Sequence, residues 1–184
     1  MTLLALAASS RDGSLNAALM EVILRQLQDD FPRVDRVDYT LFEQTPQYSV
    51  RLEQKSGPPE TIRGLAGRIA EARALVLVTP EYNHGIPGSF KNGIDWLSRI
   101  SVTLLARKPV LIAGASAAPV GAWRGMKALR PSVELLGALT VPYMISVGGV
   151  TSGADIEARF EDPAARPRIE AALSTFRYLS TLAE

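Results

Sequence analysis

The segment of residues 79–99, "TPEYNHGIPGSFKNGIDWLSR", concentrates residue types that shape a binding loop. It follows the apolar run "ALVLV", which is typical of a buried strand, and helical sequence resumes at Ser89. Two prolines and two glycines within ten positions fix a non-helical backbone that brings amides close to a flat ligand. Tyr82, Asn83 and His84 offer hydrogen-bonding edges and a stacking surface. The alternative is a rigid turn that only shapes the chain.

A second loop with binding chemistry is "SSRDGSLN", residues 9–16. It combines serine hydroxyls, the guanidinium of Arg11 and the start of a helix, where free amides and the helix dipole favour an anion. This pattern predicts an anion site, with phosphate as the natural ligand. The alternative is that Ser14 only caps the helix. The loop lacks the lysine of a P-loop and the G-x-G-x-x-G pattern of dinucleotide-binding folds.

The third loop is "GASAAPVGAWR", residues 114–124, whose small residues permit close approach of a ligand to the backbone. Ser116 can donate a hydrogen bond to a polar ring edge. The alternative is an ordinary connection between a strand and a helix. A serine hydrolase is disfavoured, although "GASAA" faintly resembles the G-x-S-x-G elbow, because that fold places its histidine after the serine. The single histidine, His84, precedes Ser116.

The elements that position these loops follow from the apolar pattern. Helical spacing predicts helices over about 14–29, 62–73, 126–136 and 169–179, with another from residue 89 to 99. Residues 42–59 and 148–167 are predicted to be irregular loops. Apolar runs predict strands at residues 3–8, 33–39, 74–79, 109–115 and 139–147.

Strands that alternate with helices indicate βαβ units and a parallel sheet covered on both faces. Five such units predict one α/β domain spanning residues 1–184, a flavodoxin-like doubly wound sheet with strand order 2-1-3-4-5. Ligands of such sheets bind beyond the carboxyl ends of the strands, near the point where the strand order reverses. All three loops are therefore expected at one edge, around strands one, three and four.

Composition excludes several classes of function. The net charge is +1, which argues against a dedicated nucleic-acid binder. The absence of cysteine excludes thiolate chemistry and disulfides, and a single histidine excludes a histidine-rich metal site. No apolar run approaches the length of a membrane span, and the short apolar N-terminus has no preceding basic residue. We therefore expect no metal and no membrane partner, in a cytoplasmic protein.

The three loops together resemble the NADPH-dependent FMN reductase family, which includes quinone, azo-dye and chromate reductases. "SSRDGSLN" is similar to the family pattern G-S-x-R-x-x-S-x-N. "PEYNHGIPGSFKNGIDWLSR" follows the family pattern nearly throughout, and "GASAAPVGAWRGMKALR" resembles its third loop. The sequence departs from the family by alanine at position 8 and, in the third loop, by Ala118, Pro119, Ala122 and Trp123.

The resemblance implies FMN as cofactor and NADPH or NADH as electron donor. It implies that no protein side chain acts as a nucleophile, acid or base, because the flavin carries the chemistry. It assigns three groups of residues to FMN: the phosphate is held by Ser9, Arg11, Ser14 and Asn16 with Leu15 beside them; the ring runs along Pro80, Glu81, Tyr82 and Asn83; and Ser116 completes the pocket with Val120 and Gly121 nearby.

The implied activity is hydride transfer from NAD(P)H, through FMN, to a quinone or similar small acceptor. The alternative is a flavodoxin-type electron carrier without turnover of its own. Such carriers are usually strongly acidic, and a charge of +1 counts against this alternative. The resemblance also implies a homodimer or homotetramer formed through the helix after the second loop. Trp96 is assigned to that interface, to the core, or to both.

Overall fold

The sheet in the computed structural model, which describes residues 2–182, is parallel throughout. The strands are β1 (Thr2–Ala7), β2 (Arg33–Val37), β3 (Ala74–Val78), β4 (Pro109–Ser116), β5 (Leu139–Thr140) and β6 (Ile145–Gly148). Their order is β2-β1-β3-β4, and both β5 and β6 pair with the far side of β4. This confirms the predicted order 2-1-3-4-5.

The predicted fifth strand, residues 139–147, was wrong as a continuous element. Between the pairs Val110–Thr140 and Ala113–Ile145, β4 advances by three residues while the edge chain advances by five. The extra residues form a bulge around Pro142, which has no N–H to donate to the ladder. β5 and β6 therefore occupy one position in the sheet with an interruption between them.

Helices cover both faces of the sheet, as predicted. Side chains of β1 alternate between the faces, so Leu3 and Ala5 join one core while Leu4 and Leu6 join the other. The helices are α1 (Leu15–Gln26), α2 (Thr40–Glu43), α3 (Val50–Ser56), α4 (Glu60–Glu71), α5 (Gly88–Ile100), α6 (Trp123–Leu135), α7 (Gly153–Glu161) and α8 (Arg166–Leu182). The first core is completed by α1, α7 and α8, and the second by α2, α4, α5 and α6.

Two segments predicted as irregular loops contain helices. Residues 42–59 hold the end of α2 and all of α3, which begins where the Ser49 hydroxyl accepts a hydrogen bond from the Leu52 N–H. Residues 148–167 hold α7, which begins at a capping box formed by Ser152 and Asp155. Both helices were missed because their segments are rich in residues that favour loops, namely glycine, proline and aspartate. The capping patterns that start the helices are short by comparison.

The "NGIDW" part of α5 holds the chain between α2 and α3 in place. Asn92 accepts a hydrogen bond from the Tyr48 N–H at 2.7 Å and donates to two carbonyl groups, one of them that of Pro46. Trp96 is fully buried and donates its Nε1–H to the Pro46 carbonyl at 2.8 Å. Gly93 lies so close to Phe42 that a Cβ would stand 2.2 Å from its ring. Trp96 is therefore a core residue of this chain.

No helix within residues 2–182 combines the length and the apolar character that crossing a membrane requires.

Candidate functional site

The carboxyl ends of β1, β3 and β4 lie side by side and bring the three predicted loops together. Ala7 pairs with Val78 in register, and the Ala8 N–H donates to the Val78 carbonyl at 2.7 Å. The Thr79 N–H then donates to the Ala113 carbonyl at 2.9 Å. This is the edge where the strand order reverses and where doubly wound sheets bind their ligands.

Asn16 ties the first loop to the third. Its Nδ2–H donates to the Ala115 carbonyl at 3.2 Å, and its Oδ1 accepts from the Ala115 N–H at 2.9 Å. The side chain is buried, so both hydrogen bonds form away from water. The sequence did not suggest this link, because the partners lie 99 positions apart. The predicted contact of Asn16 with a phosphate stays a prediction.

The first loop presents backbone amides that the protein itself does not use. Within residues 2–182, no hydrogen bond is formed by the backbone N–H groups of Ser10, Asp12, Gly13, Leu15 and Asn16. Ser14 caps α1, since its hydroxyl accepts from the Ala17 N–H at 3.3 Å. Both interpretations of the loop therefore apply, because the cap satisfies one amide and leaves others free for an anion.

The charged groups around the first loop have different surroundings. Arg11 is exposed, and its guanidinium makes no hydrogen bond within the described residues. It is therefore available to an anion that binds the loop. Ser10 instead donates its hydroxyl to Glu43 Oε1 at 2.6 Å, which places a carboxylate beside the loop. The Ser9 hydroxyl accepts a long hydrogen bond of 3.4 Å from the Arg11 N–H.

The second loop is a tight turn in a strained backbone conformation. Tyr82 and Gly85 exchange two backbone hydrogen bonds of 2.9 Å, and Asn83 and His84 between them have φ angles of 49° and 64°. Two successive positive φ angles are typical of a type I′ turn, which favours glycine at its second central position. Tyr82 beside the turn is 55% exposed, so its ring is open to a ligand.

Glu81 joins the second loop to α6. Its carboxylate accepts hydrogen bonds from the Arg124 N–H at 2.8 Å and the Gly125 N–H at 3.3 Å, at the N-terminus of that helix. Desolvation raises the pKa of Glu81, but these hydrogen bonds, with contacts from the Arg124 and His84 side chains, outweigh it and lower the pKa. The Glu81 side chain is thus engaged by the protein, which leaves its backbone for a ligand.

Two glycines allow the second loop to pack against the third. A Cβ at Gly114 would stand 2.5 Å from the Thr79 carbonyl oxygen. At Gly125 it would stand 2.8 Å from the Pro80 carbonyl oxygen and 3.1 Å from the Glu81 Cα. A side chain at Gly114 would push Thr79 away from β4, and one at Gly125 would push the second loop away from α6. Gly125 was not predicted from the sequence as a site residue; the available signal was a glycine in the first turn of a helix.

Ser116 shapes its own loop, and within the described residues no histidine base is bonded to its hydroxyl. It lies at the end of β4, half-buried, and its hydroxyl accepts from the Ala118 N–H at 3.1 Å. The His84 ring contacts Glu81, 3.3 Å away. Within residues 2–182 no Ser116–His84 hydrogen bond forms, so the arrangement gives no support to a serine hydrolase.

Val120 and Gly121 make their contacts toward β6. The Val120 carbonyl accepts from the Ser146 hydroxyl at 3.0 Å, and a Cβ at Gly121 would stand 2.5 Å from that same hydroxyl. Both residues follow Ser116 on the third loop, but these contacts face the edge of the sheet rather than β1 and β3. Their predicted contact with a ligand ring stays a prediction.

This geometry suits a ligand with an anionic end and a flat body. Within the described residues, amides and a guanidinium without hydrogen-bond partners surround the start of α1. A tight turn and an exposed tyrosine flank the neighbouring strand end. Within the part of the chain that the structure describes, no group of three or more metal-binding side chains occurs.

Sequence comparisons identify proteins similar to this chain. It is 42% identical over 105 residues to the quinone reductase of Escherichia coli (strain K12), a match that covers 57% of the chain and 56% of that relative. The chain thus spans little more than half the length of that relative. It is 29% identical over 176 residues to an NAD(P)H-dependent FMN reductase of Pseudomonas aeruginosa, which covers 95% of the chain and 92% of the relative.

Structural comparison supports the same fold. The NAD(P)H:(acceptor) oxidoreductase FerB of Paracoccus denitrificans superimposes with a TM-score of 0.80 at 23% identity, covering 99% of this chain and 98% of that one. The sequence profile of the NADPH-dependent FMN reductase family matches residues 1–151. The chain therefore belongs to the NADPH-dependent FMN reductase family, which confirms the resemblance drawn from its three loops.

Proposed function

We propose that this chain binds FMN and transfers hydride from NAD(P)H, through that cofactor, to a quinone or a similar small aromatic acceptor. The observation that carries the proposal is the first loop, where, within residues 2–182, five backbone amides around the start of α1 form no hydrogen bond and lie near the exposed Arg11. Such amides bind a phosphate well, because they point at the anion without further rearrangement. Family membership supports FMN as the molecule that supplies this phosphate.

The phosphate would lie against the first loop. Ser9, Arg11 and Ser14 would contact it with their side chains, and Leu15 and Asn16 would contact it with their backbone amides. The Ser14 hydroxyl accepts from the Ala17 N–H as the helix cap, and its own O–H would donate to the phosphate. Arg11 can form two parallel hydrogen bonds with a phosphate, which gives orientation as well as charge neutralisation. The Asn16 side chain fixes the position of the loop through its two hydrogen bonds with the Ala115 backbone.

The ring would lie along the second loop. Pro80, Glu81, Tyr82 and Asn83 would present backbone groups to its polar edge, since the Glu81 side chain is engaged at α6. Ser116 would close the pocket from the third loop, with Val120 and Gly121 beyond it. FMN, when bound, supplies the hydride chemistry, so the chain has only to bind, orient and screen the reactants.

The remaining expectations form part of the same proposal. We propose one FMN-binding domain over residues 1–184, a cytoplasmic location, and a homodimer or homotetramer. Because Trp96 is buried within the chain, the subunit contact would use exposed apolar side chains such as Ile100 and Val102, at the end of α5. Light scattering at micromolar concentration tests the assembly, and a monomer would contradict it.

The phosphate site is tested by comparing FMN with riboflavin, which has the same ring and no phosphate. Arg11→Gln should weaken FMN binding about tenfold, because a charge-assisted contact is lost, and leave riboflavin binding unchanged. Arg25→Gln is the matched control, since Arg25 pairs with Glu157 on the surface. Quenching of flavin fluorescence gives both affinities. Equal affinity of the unaltered protein for FMN and riboflavin would overturn the phosphate site.

Turnover is tested with FMN, NADPH or NADH, and a benzoquinone, in the absence of any partner protein. Sustained oxidation of the nicotinamide cofactor is the expected result, and it would discard the electron-carrier alternative. FMN binding without such oxidation would favour the carrier instead.

A further inference from the structure

A groove of about 420 Å³ lies at the edge of the sheet, behind the third loop. Trp123 at the start of α6 forms one wall, and Met144 and Ile145 at the end of the bulge form another. Ile169 of α8 contributes a further apolar surface. The volume falls within the range of pockets that bind small molecules. The bulge around Pro142 thus borders a concave surface at the edge of the sheet.

The charge at the groove comes from Arg168. Its guanidinium carbon lies 5.8 Å from the centroid of the Trp123 ring, a cation–π arrangement. Within residues 2–182 it forms no ion pair, whereas Arg166 on the same helix pairs with Glu170 at 2.7 Å. Arg159, also at the groove, pairs with Asp162 at 3.0 Å. Arg168 is therefore a cation positioned by an aromatic ring with its hydrogen-bond donors still available.

This combination selects one class of ligand. A guanidinium binds a carboxylate through two parallel hydrogen bonds, and its planar shape suits an anion held at a fixed angle. The Trp123 ring and the aliphatic walls favour a flat apolar body next to that carboxylate. We propose that the groove binds a small aromatic carboxylate, with the carboxylate at Arg168 and the ring between Trp123 and Ile169.

The groove is separate from the proposed FMN site. FMN would lie beyond β1 and β3, whereas the groove borders β6 and α8. Only the third loop, through Val120, takes part in both. The inference therefore does not rest on the proposed function, and failure of FMN binding would leave it standing.

Two tryptophans allow the groove to be observed directly. We choose 2-naphthoate as the probe and record the indole N–H signals of Trp123 and Trp96 by NMR, with the protein in saturating FMN so that the flavin site is filled. Trp123→Phe assigns the two signals. Naphthoate should shift the Trp123 signal with saturation and leave that of buried Trp96 in place. The neutral analogue 2-naphthamide should bind at least about tenfold more weakly.

Arg168→Gln should weaken naphthoate binding about tenfold, because it removes the charged partner of the carboxylate. Arg166→Gln is the matched control on the same helix and should leave the affinity within about twofold, since Arg166 is already paired with Glu170. Equal binding of naphthoate and naphthamide, an unchanged affinity in Arg168→Gln, or a Trp123 signal that does not respond would each overturn the proposal.

Discussion

The turn at residues 80–85 and the α5 segment at residues 92–96 belong to one continuous motif, yet they perform opposite tasks. In the turn, the backbone adopts left-handed conformations and the Tyr82 side chain stays exposed. In α5, the polar groups of Asn92 and Trp96 form hydrogen bonds with the backbone around Pro46. A motif residue whose donors and acceptors all form hydrogen bonds within the protein maintains the packing of the fold. A motif residue whose polar groups lack such bonds is a candidate to contact a ligand.

The largest effect on stability is expected in α5, where the motif maintains the packing of the fold. Gly93→Ala would place a methyl group 2.2 Å from the Phe42 ring, which is buried against Tyr39 and Phe90, and should reduce the free energy of unfolding by about 3 kcal/mol. Urea unfolding measures it. Gly67→Ala is the control, because nothing lies within 4 Å of its added Cβ and alanine favours a helix. Equal stability of the two variants would contradict the proposed role of Gly93.

Glu81 lies in the turn, but its carboxylate is bonded within the protein at the start of α6, and its contribution to stability depends on pH. Its pKa is lowered below the ordinary value of 4.5, so its contribution is present above pH 4.5 and is lost as the pH falls through the folded pKa. Glu81→Gln should therefore cost about 1 kcal/mol at pH 7, as loss of a helix cap does, and progressively less below pH 4.5. Unfolding measured across this range tests it. A cost that does not vary with pH would show that charge at Glu81 plays no part.

The smallest expected effect lies in the turn. His84→Gly gives the type I′ turn its favoured Asn-Gly pair and relieves a left-handed φ of 64°. The free energy of unfolding should rise by about 0.5 kcal/mol, the net of relieved strain and the entropy of glycine. FMN affinity should stay within about twofold, because the one side-chain hydrogen bond that His84 forms within residues 2–182 is to Glu81. A large loss of FMN binding would instead place the imidazole at the ligand.

The architecture could be predicted because apolar runs depend on local composition, and because simple rules of connection determine the order of the strands. The same rules placed the three loops at one edge, and Ser14 proved to cap α1 as its position suggested. The roles of Asn16 and Asn92 were beyond such reasoning. Their partners lie 99 and about 44 to 47 positions away, and no local pattern encodes which carbonyl group a buried amide will meet.

Opposing local signals in the sequence explain the other differences between the predicted and the observed elements. The run at residues 139–147 is apolar enough for one strand, but Pro142 cannot donate to the ladder and divides it. The helix α7 was missed because the glycines and aspartates of this segment indicate a loop, until Ser152 and Asp155 are seen to have the spacing of a capping box. Trp96 was open to two interpretations, and only packing against Tyr48 and Pro46 decides between them.

The bulge at Pro142 also affects how copies of this chain can meet. A long, regular edge strand is a template on which another sheet can grow, and such growth leads to aggregation. Here one edge is split into β5 of two residues and β6 of four, and the other edge, β2, carries Arg33, Asp35 and Arg36. Neither edge offers an uninterrupted apolar ladder. If copies of the chain associate, we therefore expect them to meet through helix surfaces rather than by extending the sheet.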